Sequence, residues 1–263
     1  MTIKTAATFA LAAIMALAGL SAAPANAQAT GASREGPTGL SGAQRRFPTV
    51  FGAASAFPSP GGTGFVGLNY VNPRGGLQGE GPDGDAGAGY TIGNPIQNVS
   101  LTFGLTITSL EGFGDSGSLS LSGARALVVG DRSLTFIGAS AANLAGWGDA
   151  EDTPEAYSLY VSHLLAVPAP GGEVPVQLTA GYGNRITLSE DGLGAVDDGL
   201  FAGVGVGIGP NLSAGVSATE TQINAGVSFG LPDLPGVSVS AGVFDVTDNV
   251  ERRQFSLSVS YGF

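Results

Sequence analysis

The sequence predicts an all-β fold, a transmembrane antiparallel up-and-down β-barrel of twelve strands, on three observations. Apolar and small residues alternate with a period of two through most of the chain after residue 62. The alternation is plainest at the end, where Phe255, Leu257, Val259, Tyr261 and Phe263 are separated by Ser256, Ser258, Ser260 and Gly262. That period makes a strand with one apolar and one polar face. Charged residues are only 12% of the 263, about half of the ~25% typical of a soluble domain. Finally, the connections alternate in length, mostly longer then shorter, as in a membrane barrel with loops at one end and turns at the other.

The amino-terminal segment reads as a signal peptide over residues 1–27. Lys4 supplies the positive end, residues 9–20 the apolar run, and Ala25-Asn26-Ala27 the small-residue cleavage site. The run is too short to span a membrane comfortably as a helix. Residues 28–62 form a leader rich in Gly, Pro, Ala and Ser, with Arg34, Arg45, Arg46, Phe47, Phe51 and Phe57. This leader is expected to be periplasmic or to enter the lumen. A solvated, disordered leader is favoured over a plug whose arginines and phenylalanines occupy the barrel interior. Residues 63–263 make the barrel.

The twelve expected strands are residues 63–71, 86–93, 98–109, 118–129, 133–143 and 156–167, then 174–184, 200–208, 211–218, 222–230, 237–246 and 254–263. Most are near the ~9–11 residues that a tilted strand needs to cross hydrocarbon. Acid follows the longer connections, from Glu80, Asp83 and Asp85 to Asp248 and Glu251, whereas the short turns hold only Asp131, Glu173 and Asp233. Aromatic girdles are expected. Tyr70, Tyr90, Tyr157, Tyr182 and Phe255 are assigned to the outer ring, and Phe65, Phe229, Tyr261 and Phe263 to the inner one.

Alternation assigns Val99, Leu101, Phe103, Leu105 and Ile107 to lipid, with Val204, Val206 and Ile208 on a later strand. The opposite face is small and polar, and places Asn69, Gln177 and Asn224 in the lumen. Arg125 shares parity with Leu119 and Leu121, which would aim it at lipid, at a cost of ~2–4 kcal/mol near the midplane. A β-bulge near Gly123 would turn it into the lumen instead, and that is the expectation. His163 is the only histidine. The pair Ser162-His163 resembles part of the outer-membrane phospholipase site, but no Ser stands two places beyond His163. Adjacent strand residues also face opposite ways, so no catalytic residue is assigned.

Other function classes recede on composition. There is no Cys, hence no disulfide, thiolate nucleophile or Cys-ligated metal. The net charge is −11 and Lys4 is the only lysine, which argues against a nucleic-acid partner. The run Gly203, Gly205, Gly207, Gly209 lacks the following helix of a dinucleotide loop, and Asp83-Gly84-Asp85 is too short for a calcium loop. No cofactor is expected.

The carboxy-terminal Phe263, preceded by Tyr261-Gly262, resembles the terminal strand signal of bacterial outer-membrane β-barrel proteins of the porin-like kind. The resemblance implies a bacterial outer-membrane location and contact with membrane lipid. It also implies engagement of the barrel-assembly machinery through Phe255, Leu257, Val259, Tyr261 and Phe263. No ligand-binding motif transfers with it. The expected function is a weakly selective passive pore for small polar solutes with an acidic extracellular mouth. The alternatives are a closed barrel with a structural or surface-interaction role, and a secreted soluble β-sandwich.

Overall fold

A computed structural model describes residues 48–74, 81–108, 110, 112–188 and 196–263. The signal peptide, the first part of the leader with Arg34, Arg45, Arg46 and Phe47, and the acidic residues Glu80, Glu111, Glu190 and Asp191 lie outside the described residues.

The chain forms twelve strands and one closed sheet. They are β1 (Thr63–Asn72), β2 (Asp83–Gly93), β3 (Ser100–Ile107), β4 (Gly117–Val129), β5 (Ser133–Ala142) and β6 (Ala156–Ala169). The others are β7 (Gly172–Leu188), β8 (Val196–Gly207), β9 (Leu212–Thr219), β10 (Ile223–Gly230), β11 (Val237–Phe244) and β12 (Gln254–Gly262). Each strand pairs antiparallel with its sequence neighbours, and β1 closes on β12 with Leu68 opposite Val259. A closed sheet leaves no edge with unpaired N–H and C=O groups, which is the condition for strands to cross hydrocarbon.

The alternation sorts as expected. Val66, Leu68, Leu101, Phe103, Leu105, Val204, Val216, Val227, Leu257 and Val259 are exposed on the outer wall. Ser213, Ser217, Ser228, Ser238, Ser240, Ser256, Ser258 and Ser260 are buried on the inner wall. Hydroxyls pair across strands there, with Ser228 and Ser240 2.6 Å apart and Ser238 and Ser260 2.7 Å apart. A soluble sandwich would bury the valines and leucines against each other, and this fold turns them outward.

The short turns define one end. In the turn before β3 the Asn94 carboxamide oxygen accepts the N–H groups of Ile96 and Gln97 at 3.0 and 3.2 Å, a side chain standing in for a backbone turn acceptor. The girdles need two corrections. Tyr90 pairs with Gly64 and Phe103 and so belongs toward the short-turn end, because β2 begins at Asp83 rather than at residue 86. Phe65 is buried and points inward, lying over Gly89. At the seam, Tyr261 and Phe263 stack with centroids 5.9 Å apart on the outer face.

Candidate functional site

The lumen holds a piece of the chain itself. Residues 48–57 run inside the barrel, and the favoured expectation of a solvated leader fails for them. Pro48, Val50, Ala53, Ala56 and Phe57 are buried. Val50, Ala53, Ala56 and Phe57 form one apolar cluster with Leu134, Phe136, Tyr160, Leu164 and Phe201 of β5, β6 and β8. The Phe57 ring meets Phe136 edge-on at 5.0 Å. At the other side Phe51 lies 5.0 Å from Phe244.

The path is a loop. From the Gly61–Gly62 entry to β1 the segment passes Phe136 and Ser162 near the short-turn end, and Thr179 and Ser217 further up. It turns at Gly52, whose φ is +76°, and returns past Gly215 to Ser213, the second residue of β9. A Cβ at Gly52 would meet Asn224 at 2.8 Å and Ser217 at 2.9 Å. The positive φ and the tight fit both select glycine there.

Burying this backbone requires partners for its N–H and C=O groups, and the inner wall supplies them. The Ala56 N–H donates to Ser162 Oγ at 2.8 Å, and the Thr49 N–H donates to Ser213 Oγ at 3.3 Å. Thr179 Oγ1 donates to the Ala54 carbonyl at 3.0 Å, and Gln177 Nε2 donates to Ser55 Oγ at 2.6 Å. The glycine stripe completes the seat. Cβ atoms at Gly205 or Gly215 would run into the Thr49 carbonyl, and at Gly226 or Gly242 would stand 2.5 Å from the Phe51 ring. The small inner face expected from the alternation is here room for residues 49–51.

Of the four lumen candidates, three face inward. Asn69 accepts a hydrogen bond from Ser256 at 2.8 Å, and Gln177 holds Ser55. Asn224 donates to Ser217 at 3.3 Å and accepts the Asp245 N–H at 3.1 Å. Asn224→Ala is expected to strip both partners inside a buried network and cost about 1–3 kcal/mol, read by urea unfolding of the detergent-solubilised barrel.

Arg125 does not face the lumen. The strand does carry a bulge, but between Ala126 and Val128, so it comes after Arg125 and leaves its parity unchanged. Ala124 is buried inward while Arg125 is exposed outward beside Ile137. The position is tolerable because β3 begins at Ser100 opposite Ala124, so Arg125 lies past the last β3 partner, toward the short-turn rim. The penalty for a lipid-facing charge falls to ~0–1 kcal/mol near an interface. Ser162 and His163 also part company: Ser162 faces the plug, whereas His163 faces outward with Nδ1 2.8 Å from Thr135 Oγ1.

Polar groups missed by sequence reasoning close the long-loop end. Arg74, 5% exposed, forms ion pairs with Asp83 and with Asp85, the latter at 3.2 Å, and donates to the Thr108 carbonyl. Asp245, 0% exposed, accepts the N–H groups of Asn249, Val250 and Arg252, folding the last loop inward. Among the described residues the buried charged side chains, Arg74, Asp85, Asp245 and Arg252, all stand at this end. Along β3 to β6 the inner wall is different. Thr102, Thr106, Ser118, Ser120, Ser122, Ser140 and Ser158 keep partial exposure, a hydroxyl-lined strip between buried Thr91 and Ser100 at one end and Thr108 and Ser116 at the other.

No protein-family model matches the sequence, and none of the curated proteins matches it. Solved structures do. The KdgM porin in complex with disordered oligogalacturonate superposes with a TM-score of 0.50 at 10% identity, covering 76% of this chain and 99% of that one. An outer membrane channel from Pseudomonas putida F1 gives 0.50 at 11% identity, over 80% and 99%. The chain has the fold of a porin-like outer-membrane β-barrel. At these identities the likeness is one of fold. The porin-like barrel described here is then distinguished by its own interior: a leader segment on a seat of serines and glycines, beside a strip of hydroxyls.

Proposed function

We propose that the chain is a bacterial outer-membrane channel for small polar solutes, held closed by residues 48–57 of its own leader. The observation that carries this is the divided lumen. One part of the inner wall, on β5 to β11, is committed to the plug, and a strip along β3 to β6 presents Ser, Thr and Gly residues that keep partial access to solvent. Hydroxyls without fixed charge give weak discrimination among neutral solutes. The connections at the long-loop end carry Asp115, Asp149, Glu151, Asp152, Glu155, Glu220, Asp248 and Glu251, with Asp198 at the adjoining start of β8. Such a mouth raises the local concentration of cations over anions. Twelve strands enclose a wider interior than the eight that side chains alone can fill, so removing the plug leaves a water-filled passage.

The test is solute flux into liposomes carrying the mature chain or the same chain lacking residues 48–60. Entry of neutral sugars through the shortened chain, with a modest preference for cations in bilayer recordings, is the expected result. Silence from both forms would favour the second reading, a closed barrel with a structural or surface role, for which the dry packing around Phe57 speaks.

Outer-membrane insertion is proposed to start from β12, whose alternating Phe255, Leu257, Val259, Tyr261 and Phe263 form its outer face and would be read by the barrel-assembly machinery. Phe263 also exchanges backbone hydrogen bonds with Gly64 at 2.8 and 2.9 Å, tying the seam. Deleting Phe263 is expected to reduce the heat-modifiable, folded form in cells several-fold. An unchanged gel shift and yield would dispose of that role.

A further inference from the structure

The outer wall carries a polar patch toward the short-turn end. Among the described residues, three outward side chains there interrupt the apolar wall of β4 to β6: Arg125 on β4, Thr135 on β5 and His163 on β6. The register brings them together. Thr135 pairs directly with His163, and Arg125 pairs with Ile137, two residues along β5 from Thr135. Diagonal neighbours on one sheet face are about 7–8 Å apart, within reach of a long side chain. The Thr135 hydroxyl and His163 Nδ1 are already hydrogen-bonded at 2.8 Å, so the contact with Thr135 engages one of the two ring nitrogens of this outward-facing imidazole.

We infer that this patch seats the phosphate of an anionic phospholipid in the inner leaflet, an inference that rests on the membrane-barrel reading. Three considerations select that occupant. A guanidinium on a lipid-facing wall needs an anion, and its planar fork matches phosphate oxygens. The depth is right: Arg125 stands four residues from Val129 at the end of β4, roughly 10 Å along a tilted strand, and an arginine stem bridges most of that distance while its head stays at the headgroups. A second copy of the chain has little to offer instead, because among the described residues the carboxylates toward the short-turn end are Asp131 and Asp233 at turns and Glu173 at the start of β7, and Glu173 already pairs with Arg132 at 3.4 Å. Leu127, Val128, Leu165 and Val167 continue the outer wall below the patch and give the acyl chains a surface.

The experiment is native mass spectrometry of the detergent-solubilised mature chain titrated with phosphatidylglycerol, with diacylglycerol as the headgroup-free control. One phosphatidylglycerol is expected to be retained, and no diacylglycerol. Arg125→Gln should weaken retention about tenfold, the loss of one charge-assisted fork, and His163→Ala a few-fold. Arg132→Gln, at the turn, should leave it unchanged. All variants are first shown to keep the heat-dependent gel shift. Equal retention by Arg125→Gln would overturn the assignment. So would displacement of the lipid by millimolar inorganic phosphate, which would make the patch a free-anion site, or cross-linking of two chains through Arg125→Cys, which would make it a contact between copies. Each readout is independent of conductance, so a silent channel leaves the lipid result standing.

Discussion

Deleting residues 48–60 is expected to turn a silent barrel into one that conducts in single steps. The plug contributes Val50, Ala53, Ala56 and Phe57 to the apolar cluster inside the barrel, and the closed sheet holds its wall apart when the plug leaves, with Gly205, Gly215, Gly226 and Gly242 having no side chain to fill the seat of residues 49–51. Water therefore fills it. A milder change should act the same way. Gly242→Leu puts a side chain where the Phe51 ring now lies, 2.5 Å from the position of its Cβ. Overpacking of this kind costs about 1–3 kcal/mol, and if the strain is relieved by releasing the plug, the open population rises roughly 5–150-fold. Bilayer recording of the three forms checks this. A deletion that stays silent while keeping its gel shift would mean that the plug is not what blocks the lumen.

The largest expected loss of stability comes from Arg74→Ala. Arg74 is the one cation between Asp83 and Asp85, and the Asp85 carboxylate is buried with it. Removing one partner of a buried pair leaves an uncompensated charge and costs about 3–5 kcal/mol. The midpoint of urea unfolding in detergent should fall accordingly, with β1 and β2 loosening first at the long-loop end. Adding Asp83→Asn and Asp85→Asn to Arg74→Ala should recover most of the loss, because neutral amides tolerate burial better than unpaired carboxylates. If the single and the triple variant unfold at the same midpoint, the penalty does not arise from stranded charge.

The barrel was legible because its signal is local: a period of two over each strand, and loop lengths that alternate from one end to the other. The outward valines and inward serines of β9 to β12 follow from parity alone. The plug was legible only as the less favoured alternative, because residues 48–57 have no period and their partners are scattered across strands from β5 to β11. A complementary signal did exist. Phe51 and Val50 are bulky residues without a strand to belong to, and Gly203, Gly205, Gly215, Gly226 and Gly242 are an inner wall without side chains. Neither half announces the other in one dimension. Arg125 was misplaced for a different reason. Its parity was read correctly, but rejecting the lipid-facing position assumed midplane depth, and depth depends on where the neighbouring strand β3 begins. Asp83 and Asp85 looked like loop acid because their partner Arg74 lies across a connection.

The turn at Gly52 has a consequence for reversibility. A polypeptide that crossed the cylinder from mouth to base could leave only by reptation, pulling its free end through the bore. Residues 48–57 instead double back, with Thr49 and Phe57 both facing the end from which the segment came. Such a bight withdraws sideways like a latch. Its escape barrier is set by a handful of hydroxyl contacts and two rings, so single substitutions should tune the dwell time of the shut state continuously.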